Sequence, residues 1–231
     1  MPKGRAFARI RNLLIVLVAV ALVVWVSAYG MPRIREASKE STCAANLKRL
    51  GEACQMYEAD WHDVLVPYGA PLAWKPRGMW PYLLDDCLRK MPDVAMKRSR
   101  AFTCPADLGA EEGGWPYHLS YGMNWNCGGW TPGEKPLVVP AKTVKFPSAT
   151  IRIAEVMWEA QGGSLFAAKP SEFKPNDPNC RLFPKWHMGK GNVLWIDGHV
   201  SAMTLEQYNM RDKGPYDGNI WLRLEGPKPP P

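Results

Sequence analysis

A run of seventeen residues without a charge, LLIVLVAVALVVWVSAY at positions 13–29, constrains this chain more than any other feature. As a helix it is about 26 Å long, close to the roughly 30 Å of a bilayer's hydrocarbon core. Lys3, Arg5, Arg9 and Arg11 precede it. Basic flanks stay cytoplasmic, so residues 1–12 are expected inside the cell and everything beyond residue 30 outside it. After Gly30, Met31 and Pro32 the pattern changes. Cys43, Leu47, Leu50, Cys54, Tyr57 and Trp61 recur at intervals of 4, 3, 4, 3 and 4 residues, with Lys48, Glu52 and Gln55 between them. That spacing draws one apolar stripe along a helix, and such a stripe needs a surface to cover. Leu47, Leu50, Tyr57 and Trp61 are the residues expected to make that contact.

The order of segments follows. Residues 1–12 are a basic N-terminus, 13–30 a transmembrane helix and 31–61 its amphipathic continuation. Residues 62–213 form an α+β globular domain, and 214–231 a last strand and a Pro-rich tail. Small residues at Val26, Ser27 and Ala28 also fit a secretory signal cut after Ala28. A retained anchor is the preferred reading, because the helical pattern resumes directly beyond that point. Four of the seven net positive charges belong to Lys3, Arg5, Arg9 and Arg11. The basic balance is therefore a topology signal, and no nucleic-acid partner is expected.

Either reading puts the domain in an oxidising compartment, where Cys43, Cys54, Cys87, Cys104, Cys127 and Cys180 are disulfide candidates. Cys43 and Cys54 lie eleven residues apart on one helix, about 16 Å along its axis, too far to bond each other. A bridge from Cys43 to Cys104 would staple the helix to the body, worth roughly 4 kcal/mol in the chain-entropy account. Reduced, buried thiols are the other possibility. No C-x-x-C pair occurs, so a structural zinc site is not expected.

Prolines and Gly78 keep residues 64–78 irregular, and a short helix begins at Trp80 and Pro81, with proline tolerated in the first turn. Lys90, Lys97, Arg98 and Arg100 read as a solvated basic loop face. Residues 101–105 and 119–124 are short, apolar and bounded by Pro, Gly or Asn, which predicts strands or strand-like edges. Residues 150–156 predict a better strand, with Ile151 and Ile153 facing one way and Arg152 the other. In residues 192–203 two β-prone runs flank Asp197 and Gly198, which predicts a hairpin closed by a two-residue type I′ turn. A short helix over 205–211 and a last strand over 220–224 complete the reading.

His187, nine intervening residues, then Asp197 and Gly198 resemble the signature of the prepilin-type, processing-associated H-x(9)-D-G domain family of pseudopilin-like bacterial proteins. The likeness extends in order. CAANLKRLG at 43–51 is similar to the family's helix motif, FTCPAD at 102–107 to its C-P-x-D turn, and SYGMN at 120–124 to its S-Y-G-M-N segment. Residues 147–155 are similar to its next strand and 192–200 to its terminal hairpin. The resemblance covers residues 35–203. It implies a type IV pilin-like fold: a long N-terminal helix whose outer half packs on a small antiparallel sheet. It also implies a structural subunit of a type II secretion or pilus-like system, held in the bacterial inner membrane with its domain periplasmic, with lipid and other pseudopilins or secretion components as partners.

The sequence departs from that pattern at its start. Family members carry Gly followed by F-T-L-I-E-L, cut after the Gly, whereas Gly4 is followed by Arg5, Ala6, Phe7, Ala8 and Arg9, and no acidic residue precedes Glu36. In a pilin-type bundle the missing glutamate offsets a neighbouring amine. Arg5, Arg9 and Arg11 would instead bury unpaired cations at several kcal/mol each. An unprocessed, accessory subunit is therefore expected.

His187, Asp197, Gly198 and His199 are the motif residues, with a structural role preferred. Asp197 and Asp107 are the candidate metal ligands, for Ca²⁺ by analogy with related pseudopilins. No D-x-D-x-D-G loop or H-x-x-x-H helix is present, and no cofactor is required. Two rival functions stand beside this reading. One is a tethered or secreted binding module for glycan or peptide, using Trp115, Trp125, Trp130, Trp158, Trp186 and Trp195. The other is a hydrolase using Cys104 or Cys127 with a histidine, which no hydrolase motif supports; the protein is not expected to be an enzyme.

Overall fold

A computed structural model describes residues 3–67, 80–91, 101–107, 119–124, 139–156, 167–168, 186–204 and 207. The expected strand over 220–224 and the loop tryptophans at 115, 125, 130 and 158 lie outside these residues, as do Cys127 and Cys180. Of the expected helix over 205–211 only Gln207 lies inside them, as a helical residue. Contacts divide the chain into residues 1–38 and 39–231.

The first unit holds α1 (Lys3–Trp25), a π-helical turn (Val26–Gly30) and the start of α2 (Met31–Asp60), most of which belongs to the second. Pro32 explains the wider turn. Proline lacks an N–H and its ring crowds the carbonyl one turn back, and a π turn opens the ladder there. The Met31 N–H accordingly donates to the Val26 carbonyl, five residues back. Leu13, Leu14, Ile15, Leu17, Val23 and Trp25 are all more than half exposed. This one helical run is long and apolar enough to cross a membrane.

The second unit is α+β. Its core lies between the later part of α2, the short helix α3 (Trp80–Leu88) and a five-stranded sheet. The strands are β1 (Tyr121–Asn124), β2 (Ile151–Glu155), β3 (Ala167–Ala168), β4 (Lys190–Trp195) and β5 (Val200–Thr204), in the spatial order β3-β1-β2-β4-β5. Every pairing is antiparallel except the two-residue edge strand β3, which runs parallel to β1.

The helical stripe packs as its spacing predicts for Cys43, Leu47, Leu50, Cys54 and Tyr57, all buried. Burying a leucine such as Leu47 or Leu50 stabilises by about 1.5–3 kcal/mol. Gly51 lets α2 pack closely on the sheet: a Cβ there would stand 2.9 Å from Leu194 Cδ1. Trp61 departs from the expectation. The helix ends at Asp60, His62 and Asp63 adopt positive φ (56° and 60°), and Trp61 is left 59 % exposed, stacked on Tyr57. The left-handed pair turns the chain away before the stripe reaches its last position.

Three further expectations are corrected. Residues 101–102 form a 3-10 turn instead of a strand. Ile151 and Ile153 do not share one face with Arg152 on the other, as plain alternation would have it. Between β2 and β4, Ile151 pairs with Trp195 and Ile153 with Leu194, so Arg152 is the extra residue of a bulge. A bulge breaks the in-out alternation, and Arg152 reaches Glu58 of α2 at 2.8 Å, with 4 % of its side chain exposed. The hairpin is present, but its turn is not type I′. Only Gly198 has positive φ (92°), the Gly198 N–H donates to the Trp195 carbonyl, and the Trp195 N–H donates to that of His199. This is a three-residue loop with glycine in the left-handed position. The body sets it: the Ile196 N–H donates to the Thr150 carbonyl and the Asp197 N–H to that of Pro147. Ile196 is thereby held in a small second cluster with Leu65, Val139 and Val144.

Candidate functional site

Four buried side chains from distant parts of the sequence, Cys43, Cys104, Glu155 and His187, meet at one point. Cys43 arrives from α2 and Cys104 from the turn after Phe102, and they form a disulfide with Cα atoms 5.1 Å apart. The turn carrying Cys104 is fixed on both sides. Its N–H donates to Ser120 Oγ at 2.9 Å, the Ser120 hydroxyl donates to Asp107 Oδ2 at 2.7 Å, and the Asp107 N–H returns to the Cys104 carbonyl. Asn46, one turn beyond Cys43, donates from Nδ2 to the Thr103 carbonyl at 2.9 Å. The covalent staple is therefore flanked by hydrogen bonds that position both of its ends.

Glu155 and His187 complete the cluster. Glu155 closes β2, and its carboxylate accepts the Asn192 N–H at 2.8 Å and Asn192 Nδ2 at 3.1 Å. His187 precedes β4 in a turn where His187, Met188 and Gly189 all have positive φ (56°, 54° and 82°). Such backbone costs about 1–3 kcal/mol for each non-glycine residue and persists where the surroundings over-determine it. The turn buries the His187 ring and leaves Met188 68 % exposed. His187 Nε2 lies 3.3 Å from Glu155 Oε1 and 3.2 Å from Cys104 Sγ. Nδ1 on the far side of the ring is buried and has no hydrogen-bond partner among the described residues. Tyr121 closes the group, its hydroxyl 3.5 Å from the Cys43 carbonyl. Burial, and then the charge of Glu155, hold that phenol well above its ordinary value near 10.

The motif residues thus separate. Asp197, Gly198 and His199 form the hairpin tip, where Asp197 Oδ1 accepts the His199 N–H at 3.1 Å and meets His199 Nδ1 at 2.6 Å. Trp195 stacks on the His199 ring and donates from Nε1 to Ser201 Oγ. Asp107 is occupied by Ser120. Neither Asp107 nor Asp197 belongs to a group of three or more metal-type side chains among the described residues; Cys43, Cys104, Glu155 and His187 do.

Cys54 and Cys87, read as disulfide candidates, are buried free thiols. Cys54 sits against the Arg152–Glu58 pair, and burial pushes its thiol up to about 11 despite the nearby guanidinium. Burial likewise raises the Glu58 carboxyl, partly offset by Arg152. Lys90 of the basic cluster pairs with Asp60 at 2.8 Å, and its other members lie outside the described residues. The cysteine–histidine contact that a hydrolase needs is present in Cys104 and His187. The sulfur is bonded to Cys43, however, and a disulfide sulfur is not a nucleophile.

Glu155 and Asn192 were not singled out by the sequence. A carboxylate between Ala154 and Val156 at the end of an apolar strand was the available signal, since a charge there needs a partner. No protein-family model, curated protein or solved structure matches the chain.

Proposed function

We propose that the chain is a membrane-anchored, pilin-like structural subunit: an accessory pseudopilin of a type II secretion or pilus-like assembly, not an enzyme. In this reading residues 1–12 are cytoplasmic, the apolar helix spans the bacterial inner membrane, and the α+β unit is periplasmic. Lipid and neighbouring pseudopilins are its partners. The carrying observation is that one helical face, from Cys43 to Tyr57, covers an antiparallel sheet, and that the Cys43–Cys104 disulfide staples the helix to the 101–107 turn packed in the same core. The co-linear motif likeness supports the reading, because the helix, C-P-x-D and S-Y-G-M-N segments converge on that staple.

The test uses the full chain expressed in a bacterium. The protein should sediment with membranes and resist carbonate washing, and mass spectrometry should recover an N-terminus that includes Arg5. A photo-crosslinker at exposed Ile34 should give discrete hetero-adducts with other subunits and no ladder of self-adducts. A soluble product beginning after Ala28, or a methylated N-terminus after Gly4, would remove the unprocessed-anchor reading.

A further inference from the structure

The cluster beside the disulfide has a second chemical use. We propose that in the dithiol state Cys43, Cys104, Glu155 and His187 form a four-ligand site for a borderline-soft divalent cation of the zinc type. The disulfide ties the helix to the turn that carries Cys104, and the metal ties those two elements to Glu155 at the end of β2 and to His187 as well.

Donor set and geometry carry this. One ligand atom from each residue lies within 4.8 Å of all the others, and all four residues are buried. A tetrahedral zinc ion with bonds of about 2.0–2.3 Å requires ligand atoms about 3.3–3.8 Å apart. His187 Nε2 already stands 3.3 Å from Glu155 Oε1 and 3.2 Å from Cys104 Sγ. Breaking the S–S bond frees the two sulfurs to separate to that spacing. Two thiolates, an imidazole and one carboxylate suit zinc and cannot supply the six to eight oxygens of Ca²⁺. Outer support is in place at the carboxylate, because Asn192 N–H holds Glu155 Oε2 at 2.8 Å and can orient Oε1 towards a metal. His187 presents Nε2 to the cluster from a side chain with no exposure, and its Nδ1 lies on the far side of the ring. Metal binding at Nε2 places the ring proton on Nδ1.

The steps balance. A dithiol reductant delivers two electrons and two protons to the Cys43–Cys104 bond, giving two thiols, and leaves as its own disulfide. The cation then displaces the two thiol protons to solvent and binds two thiolates, the Glu155 carboxylate and the neutral imidazole.

The experiment takes the full chain in detergent, reduced with dithiothreitol, freed of it under argon and titrated with Co²⁺ as the coloured substitute for Zn²⁺. One Co²⁺ per chain should bind with thiolate-to-metal charge transfer and the strong visible bands of a tetrahedral site. Zn²⁺ should bleach them, and the oxidised chain should show none. Glu155→Gln and His187→Ala should each weaken binding by at least about tenfold, whereas Cys87→Ser should leave it unchanged. Zn²⁺ should also shield Cys43 and Cys104 from alkylation. No uptake by a reduced, folded chain, or uptake indifferent to Glu155→Gln and His187→Ala, overturns the proposal. If reduction alone abolishes the far-ultraviolet dichroism, its recovery on adding Zn²⁺ supports the site, and its failure to recover counts against it.

Discussion

The two ends of the H-x(9)-D-G segment each hold a histidine against a carboxylate, in opposite surroundings. At one end His187 meets Glu155 at 3.3 Å with neither side chain exposed. At the other His199 meets Asp197 at 2.6 Å, with 46 % and 34 % of those side chains exposed. By distance alone the hairpin pair is the stronger. Burial reverses the order, because water screens the outer pair while the inner one lies where every polar group needs a partner. The inner pair is also cross-linked to the fold. Glu155 holds two donors of Asn192, and His187 touches the Cys104 sulfur that is bonded to Cys43 of α2. The outer pair serves only the turn that contains it.

Glu155→Ala is the widest test of that difference. It removes the acceptor of the Asn192 N–H and Nδ2 and leaves His187 facing a void, so the expected loss is about 3–5 kcal/mol in urea unfolding. A loss below about 1 kcal/mol would mean water reaches the cluster, and the contrast in burial would fail. Gly198→Ala is the intermediate case. Its φ of 92° is left-handed, and a Cβ would stand 3.0 Å from Gln55 Nε2. A cost of about 1–2 kcal/mol is expected, localised to the hairpin and visible as faster amide exchange at Trp195 and His199.

The sequence revealed the outer end of this contrast better than the inner one, for a physical reason. Local patterns record local contacts. The stripe from Cys43 to Tyr57 and the hairpin around Asp197 and Gly198 are written in residues a few positions apart, so both were legible. The staple was legible as one option, because Cys43 had to look away from its own helix. What decided the inner site is long-range. Glu155 is explained by Asn192, 37 positions later, and His187 by Cys104, 83 positions earlier. The alternation expected of Ile151, Arg152 and Ile153 failed for a related reason: one bulged residue opposite β4 cancels it. The hairpin turn was misread because its conformation follows from contacts with Pro147 and Thr150 on a different segment.

Asp197→Ala is the smallest effect and separates the two ends most sharply. The substitution removes one bond to the His199 N–H and one to its ring. The Gly198-to-Trp195 backbone bond and the stacking of Trp195 on His199 do not depend on the aspartate. An exposed pair of this kind contributes about 0–1 kcal/mol. The difference from the parent chain should also shrink further at about 0.5 M salt, where the screening length falls to a few ångströms. Urea unfolding at low and high salt measures both. A salt-independent loss as large as that of Glu155→Ala would show that the Asp197 carboxylate, beyond the backbone contacts with Thr150 and Pro147, holds the tip to the body. The aspartate would then stand beside Glu155 as a determinant of the fold.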